Sequence, residues 1–334
     1  MKALPILIAI LGVAVMAVLV GYFGADAVMH SLIAVGGVGF AAICAIHLAV
    51  TVGMGLAWRA LLPGAHSGTV IWARLVRDSG SEALPLSQVG GYVLGARALA
   101  LTGVSGTRAA ASTIVDVTVE FTAQLAYTAL GLAWFIRLQP GSRMALPVLV
   151  GLGVAALAAS AFILVQQRGI AVFDRIARHL GEGWAERSAA GAAALHRALG
   201  DIYRRRGGLW TSFFLHLATW IASAAEVWLA LHLTGQPLPF GAVLAIESLL
   251  YAIRTAAFLV PQAVGVQEGA YLLLGVGFGL TPEMSLALSL LKRGRDLAIG
   301  LPTIAIWQAL EGSRLWRRRS TAAAPIRELA PPPD

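Results

Sequence analysis

Carboxylates and cations stand in parts of this sequence that are otherwise apolar, and their spacing suits a buried polar site. Asp116 and Glu120 are four residues apart, hence on one face of a helix. Lys292 and Arg293 share a helix face with Asp296, which lies four and three positions beyond them. Glu226, Glu247 and Arg254 are weaker instances of the same pattern. Two Gly/Pro-rich stretches complete the set: Pro85, Gly90, Gly91 and Gly95 ahead of Arg97, and Pro261, Gly265 and Gly269 around Glu268. Two chemistries fit. In one, the cations receive a lipid headgroup and the carboxylates tune them; in the other, the same charges form ion pairs that hold helices together. Asp116 and Glu120 expect Arg97, Arg108 or the Lys292/Arg293/Arg295 cluster as partners. Glu268 either binds a headgroup, relays a proton, pairs with Arg254 or Arg293, or caps the half-helix that follows it. The lipid-binding candidates are therefore Arg97, Asp116, Glu120, Arg254, Glu268, Lys292, Arg293 and Asp296, with Pro85, Gly90, Gly91, Pro261, Gly265 and Gly269 as breaks or hinges.

Other chemistries find no residues. There is no G-x-x-x-x-G-K-[ST] phosphate loop. Cys44 is the sole cysteine, so an intrachain disulfide and a Cys-based metal cluster are ruled out. His47, His216 and His232 lack metal-like companions and read as packing residues. No cofactor, metal or enzymatic activity is expected.

The elements that position these charges are membrane helices. The chain has 334 residues, 58% of them hydrophobic, and a mean hydropathy of +0.76, outside the range of soluble domains. Its apolar runs are continuous, as in helices, and not alternating, as in barrel strands. The net charge of +8 lies largely in loops and the tail. It reads as positive charge retained in the cytoplasm, not as a nucleic-acid surface. Spans are expected at about 4–23, 31–58, 107–135, 144–165, 209–233 and 284–310. Residues 69–77 suit a short interfacial helix with Arg74 and Arg77 three apart. Residues 166–208 suit a cytoplasmic pair of amphipathic helices, with Val172, Ile176 and Leu180 on one and Leu195, Leu199 and Ile202 on the other.

The backbone breaks are the second constraint. Gly/Pro-broken backbone at membrane depth is tolerated only inside protein or along a cavity. Residues 82–103, broken around Gly90–Gly91, and residues 237–280, broken at Pro261, are therefore expected as two re-entrant hairpins. The fold class is an all-α polytopic membrane protein with six full spans and two such hairpins; eight spans is the alternative. Positive charge puts both termini in the cytoplasm, with Arg137 and Arg143 as exceptions in an outer loop. Residues 1–319 form one membrane domain, and 320–334 form a disordered tail.

The two breaks also repeat. Aligning Pro85 with Pro261 puts Gly103 on Gly279, Ser105 on Thr281 and Glu120 on Asp296 without a gap. With hairpins entering from opposite faces, the repeats are inverted, an architecture of transporters whose site lies between the halves.

Pro261-x3-Gly265-Val-Gln-Glu268-Gly269 resembles the P-G-G-x-G-x-x-E-G signature of the membrane domain of lysylphosphatidylglycerol synthases, a family often described as flippase-like. Gln262-Ala263 replaces the paired glycines. Glu82-Ala-Leu-Pro85, Val89-Gly-Gly91 and Arg97 resemble the same family's first broken element. Together with Gly95-Ala-Arg97 and Val115-Asp116-x-Thr118-x-Glu120, they look most like its hopanoid-biosynthesis-associated branch, HpnL. The bifunctional members add a soluble aminoacyl-transfer domain. The roughly 24 residues after the last expected span leave no room for one, so lysyl transfer is not expected. The resemblance implies a lipid-binding, flippase-like protein of the bacterial inner membrane, moving a hopanoid or an anionic phospholipid. The alternative it implies is a non-transporting accessory to a lipid-biosynthetic enzyme.

Overall fold

A computed structural model describes residues 25–82, 88–141, 145–168, 182–257 and 260–322. The expected first span, Pro85, the first amphipathic helix of the 166–208 loop and the tail beyond 322 lie outside these residues. Ten α-helices follow in order. They are α1 (Ala25–Ala60), α2 (Ser67–Glu82), α3 (Gln88–Ala100), α4 (Gly106–Leu138), α5 (Ala145–Arg168), α6 (Glu182–Arg204), α7 (Arg206–Leu233), α8 (Phe240–Ala256), α9 (Val266–Gly277) and α10 (Pro282–Ala322). One 3-10 turn, Pro261–Ala263, joins α8 to α9, and no strand occurs among the described residues.

The helices are apolar outside as well as inside. Residues 33–60, 106–138 and 206–233 are long and apolar enough to cross a bilayer. Along α5, Leu146, Leu149, Val150, Val154, Leu157 and Phe162 all face outward. A soluble fold avoids so long an apolar face. A bilayer supplies the medium it needs. The chain is an all-α membrane protein.

The order of helices repeats at the 176-residue offset between Pro85 and Pro261. Shifting α1–α4 by that offset lands them on α7–α10, and the start of α4 falls on the start of α10. The packing repeats as well. In each half a helical pair (α2–α3, α8–α9) precedes a long final helix; α2 lies on α10, α8 lies on α4, and α1 runs along α7. The middle elements α5 and α6 stand outside this symmetry. A shared core of Leu132 and Phe135, Val227 and Leu231, Ile246 and Leu249, Leu274 and Leu288 joins α4 to the second half.

Three expectations need correction. Residues 69–77 do not form a short interfacial helix: they belong to the sixteen-residue α2, whose Arg74 and Arg77 are buried inside the bundle. The first hairpin does not break at Gly90–Gly91, because α3 runs unbroken through both. Its arms are α2 and α3, and the glycines serve contact instead. A Cβ on Gly91 would lie 2.6 Å from the Arg77 carbonyl oxygen. Finally, α10 continues through Ser320 to Ala322, so the tail begins later than expected.

The second hairpin follows its sequence. At about 1.5 Å per residue, α8 and α9 reach roughly 26 and 18 Å, short of a ~30 Å hydrocarbon core. Between them Gln262 (φ 52°) and Ala263 (φ 47°) occupy the left-handed region, where glycine is the relaxed choice. These are the two positions at which the family signature carries glycines. In the former 166–208 loop, α6 buries Leu199 and Ile202 and packs Leu195 beside them against α4, as their spacing requires.

Candidate functional site

The site starts on α2. Arg74, Arg77, Asp78, Ser81 and Glu82 recur at three- and four-residue intervals, so they line one stripe of the helix. Ala73 and Val76, away from that stripe, are fully buried with Trp58 and Leu99, so the opposite flank of α2 is packed as well. The charged stripe meets α4. Arg74 donates a fork to Glu120 (2.7 and 2.9 Å) and its Nε to Asp78 (2.7 Å). Arg77 donates to Asp116 at 2.6 Å and to Glu120 at 2.5 Å. The remaining Asp116 oxygen lies 3.0 Å from His216 Nε2 of α7, and that imidazole's Nδ1 is 3.0 Å from Met54 Sδ of α1. Every member of this knot is buried or nearly so.

The second half holds the matching knot with its signs exchanged. Lys292, the residue that the 176-residue offset aligns with Asp116, donates to Glu247 of α8 at 2.6 Å. Tyr271 of α9 completes that carboxylate at 2.5 Å. In each half the first arm of the hairpin thus pairs with the last helix. A third group ties the halves: Arg295 of α10 pairs with Glu226 of α7 and, at 2.5 Å, with Asp296, while Glu226 also meets His47 of α1 at 3.1 Å.

Between these knots lies a cavity of about 230 Å³. Its wall draws on both halves: His47, Arg74, Arg77, Asp78, Glu82 and Glu120 from the first, Trp220, Glu226, Tyr251 and Arg254 from the second. At ~30 Å³ per water, it holds about eight waters. That is room for a small polar headgroup and not for acyl chains. Two buried donors on its lining residues, Arg77 Nε and Trp220 Nε1, have no partner among the described residues. Buried donors are almost always satisfied, so these two mark unused hydrogen-bonding capacity beside the cavity. Among the described residues Arg254 is the least committed of the lining arginines: it meets the Glu82 carboxylate alone, at 3.1 and 3.4 Å, with the Tyr251 ring 5.5 Å away.

The sequence-derived candidates separate accordingly. Glu120 and Arg254 line the cavity. Asp116, a partner of Arg77, and Lys292, 4.8 Å above the Tyr251 ring, stand one layer behind it, and Asp296 is further back, paired with the Arg295 that meets the lining Glu226. Glu268 and Arg293 pair with each other at 2.7 Å, away from the cavity. Glu268 also accepts from the Gly265 N–H (2.7 Å) and from Ser289 (2.9 Å), so it both caps α9 and anchors that cap to α10. Gly265 takes φ 83° at the cap, Gly269 follows in the first turn of α9, and Pro261 opens the 3-10 turn. Arg97 is elsewhere: it is half exposed and pairs with Glu311 at 2.6 Å. The partners expected for Asp116 and Glu120 are not the ones found; Arg74 and Arg77 take their place.

Sequence reasoning placed Arg74 and Arg77 at the membrane surface and His47 and His216 in packing. The charged stripe along residues 74–82 is the signal that would have found the arginines. The histidines carry none, since their carboxylates are 179 and 100 residues away. The Asp116, Glu120 and His216 ligand atoms lie within 4.8 Å of one another, the spacing of a metal site. Both carboxylates, however, already neutralise guanidiniums.

The family profile described as "Lysylphosphatidylglycerol synthase TM region" matches residues 9–302. The chain belongs to this family. A search of curated proteins and a search of solved structures each gave no match. Membership makes this a lipid-related membrane protein. The matched stretch covers the first repeat, the second as far as residue 302 of α10, and every residue of the cavity, so the site is part of the family domain.

Proposed function

We propose that this protein binds the headgroup of a membrane lipid in the cavity between its two repeats and carries that lipid across the bacterial inner membrane. The supporting observation is a polar cavity walled by both halves of an internal repeat, large enough for a headgroup alone, with two unsatisfied donors beside it. Six full spans and two hairpins entering from opposite faces, with both termini in the cytoplasm, give the repeats opposite orientations. The cavity then lies where alternating access places a substrate.

The chemistry follows from the wall. Three arginines face four carboxylates there, and the cations are already paired. A bare anion gains little. A hydroxyl-rich headgroup does better, donating to Asp78 and Glu82 and accepting from Arg254. Of the two lipid classes, this favours a hopanoid with a hydroxylated side chain over an anionic phospholipid. The protein contributes no bond-making step. It exchanges internal ion pairs for headgroup contacts while the apolar part of the lipid stays outside.

Mass spectrometry of lipids retained by gently purified protein tests the reading. One hydroxyl-rich class is expected to be enriched over the bulk membrane, with the enrichment lost in Arg254→Gln. Retained lipid that mirrors the membrane would contradict a selective site and favour an accessory role in lipid biosynthesis.

A further inference from the structure

A second recess lies on the other side of α4. Glu120, Phe121 and Gln124 face the inner cavity, whereas Thr118, Val119 and Thr122 face a groove of about 1020 Å³ bounded by α4, α5, α6 and α7. It is more than four times the size of the inner cavity and opens outward. Its floor is fixed by a hydrogen-bond chain: Tyr203 donates to Gln166 at 2.7 Å, and Gln166 donates to Thr118 at 2.8 Å. Val119, Ile163, Leu209 and Phe213 give it an apolar side along the helices.

Among the described residues the charge of this groove is the opposite of the cavity's: Arg204, Arg206 and His196 line it, and no carboxylate does. Asp201 approaches only at the exposed rim, where it meets Arg204. The arginines sit where α6 ends and the apolar span of α7 begins, the level at which a spanning helix meets headgroups. Trp210, one turn further, is 60% exposed and stacks on Phe214, as an interfacial aromatic does. The positive end of the α7 dipole adds to the same field.

We infer that this groove is a binding site for an anionic diacyl phospholipid. The phosphate rests on Arg204 and Arg206, the glycerol level is set by Trp210, and the acyl chains lie along Val119, Ile163, Leu209 and Phe213. These cations attract a net anionic headgroup more strongly than a zwitterionic or uncharged one. The site is independent of the inner cavity: the α4–α7 seam, closed by His216 and Asp116, separates them.

The test uses the full chain in phosphatidylcholine vesicles containing photoactivatable phosphatidylglycerol or, separately, photoactivatable phosphatidylcholine, with labelled peptides mapped by mass spectrometry. At least fivefold more phosphatidylglycerol than phosphatidylcholine label is expected on segments 118–122, 163–166 and 196–213. The Arg204→Glu/Arg206→Glu pair should remove that excess and leave phosphatidylcholine labelling unchanged. Equal labelling by the two lipids in the parent protein overturns the proposal, and this comparison needs no variant to fold. Excess label that survives both charge reversals overturns it as well. Arg254→Gln should leave groove labelling unchanged, so a failed inner cavity and a failed groove are told apart.

Discussion

Arg77 reaches Asp116 and Glu120 from a buried position, so its removal takes the nearest guanidinium from buried Asp116 and one of two from Glu120, leaving Arg74 to neutralise both. Arg77→Ala is expected to cost about 3–5 kcal/mol, read as a large fall in the unfolding temperature in detergent. Arg97→Ala, at a half-exposed pair with Glu311, should cost less than about 1 kcal/mol. Equal effects would mean that the buried knot carries no more weight than a surface pair. Glu268→Ala removes a cap and leaves Arg293 without its carboxylate, so its effect on transport is inseparable from folding. Arg254 is the informative residue, because the Glu82 carboxylate it meets sits on the same cavity wall. At the hairpin tip, Gln262 holds φ 52°. Gln262→Gly should leave stability within about 1 kcal/mol or raise it, whereas Gln262→Val should cost about 1–3 kcal/mol. Thermal unfolding of the two variants side by side decides this, and a Val variant as stable as the Gly variant would remove the strain.

Helix contacts set the position of the hairpins. A Cβ on Gly131 of α4 would lie 1.5 Å from Ser248 Oγ and 2.6 Å from Ser248 Cβ of α8. Gly131→Ala is therefore expected to destabilise by about 1–3 kcal/mol through overpacking, and Ser248→Gly should recover part of that loss in the double variant. Additive losses would mean the two helices are not in contact there. The same elements show what a sequence discloses. Spans α1, α4 and α7 were legible from length and apolarity, and the second hairpin from its proline and glycines. The first hairpin was misplaced because Gly90–Gly91 reads as a turn, while its physical use is to let α3 approach the backbone of α2. Arg74 and Arg77 beside a loop read as surface charges. Only the fold reveals that carboxylates some 40 residues away neutralise them, because ion pairing across helices leaves no periodicity to read.

Eight of the ten described helices are two copies of one four-helix plan, with buried charges arranged so that most find a partner of opposite sign. The repeat was visible in a few aligned residues, and the matching helix order and packing turn it into an architecture. The interface between copies contains the polar cavity, and an exchange of partners there is how such a molecule would admit a headgroup without stranding a charge in hydrocarbon. The most direct measurement is translocation of labelled lipid in vesicles made from the native membrane lipids, with parent protein, Arg254→Gln and protein-free vesicles compared. The account predicts that parent protein accelerates movement of a hydroxyl-rich lipid at least tenfold over protein-free vesicles, and that Arg254→Gln loses most of that acceleration while unfolding at the parental temperature. Movement no faster with parent protein than without it, or an Arg254→Gln variant as active as the parent, would contradict the central claim.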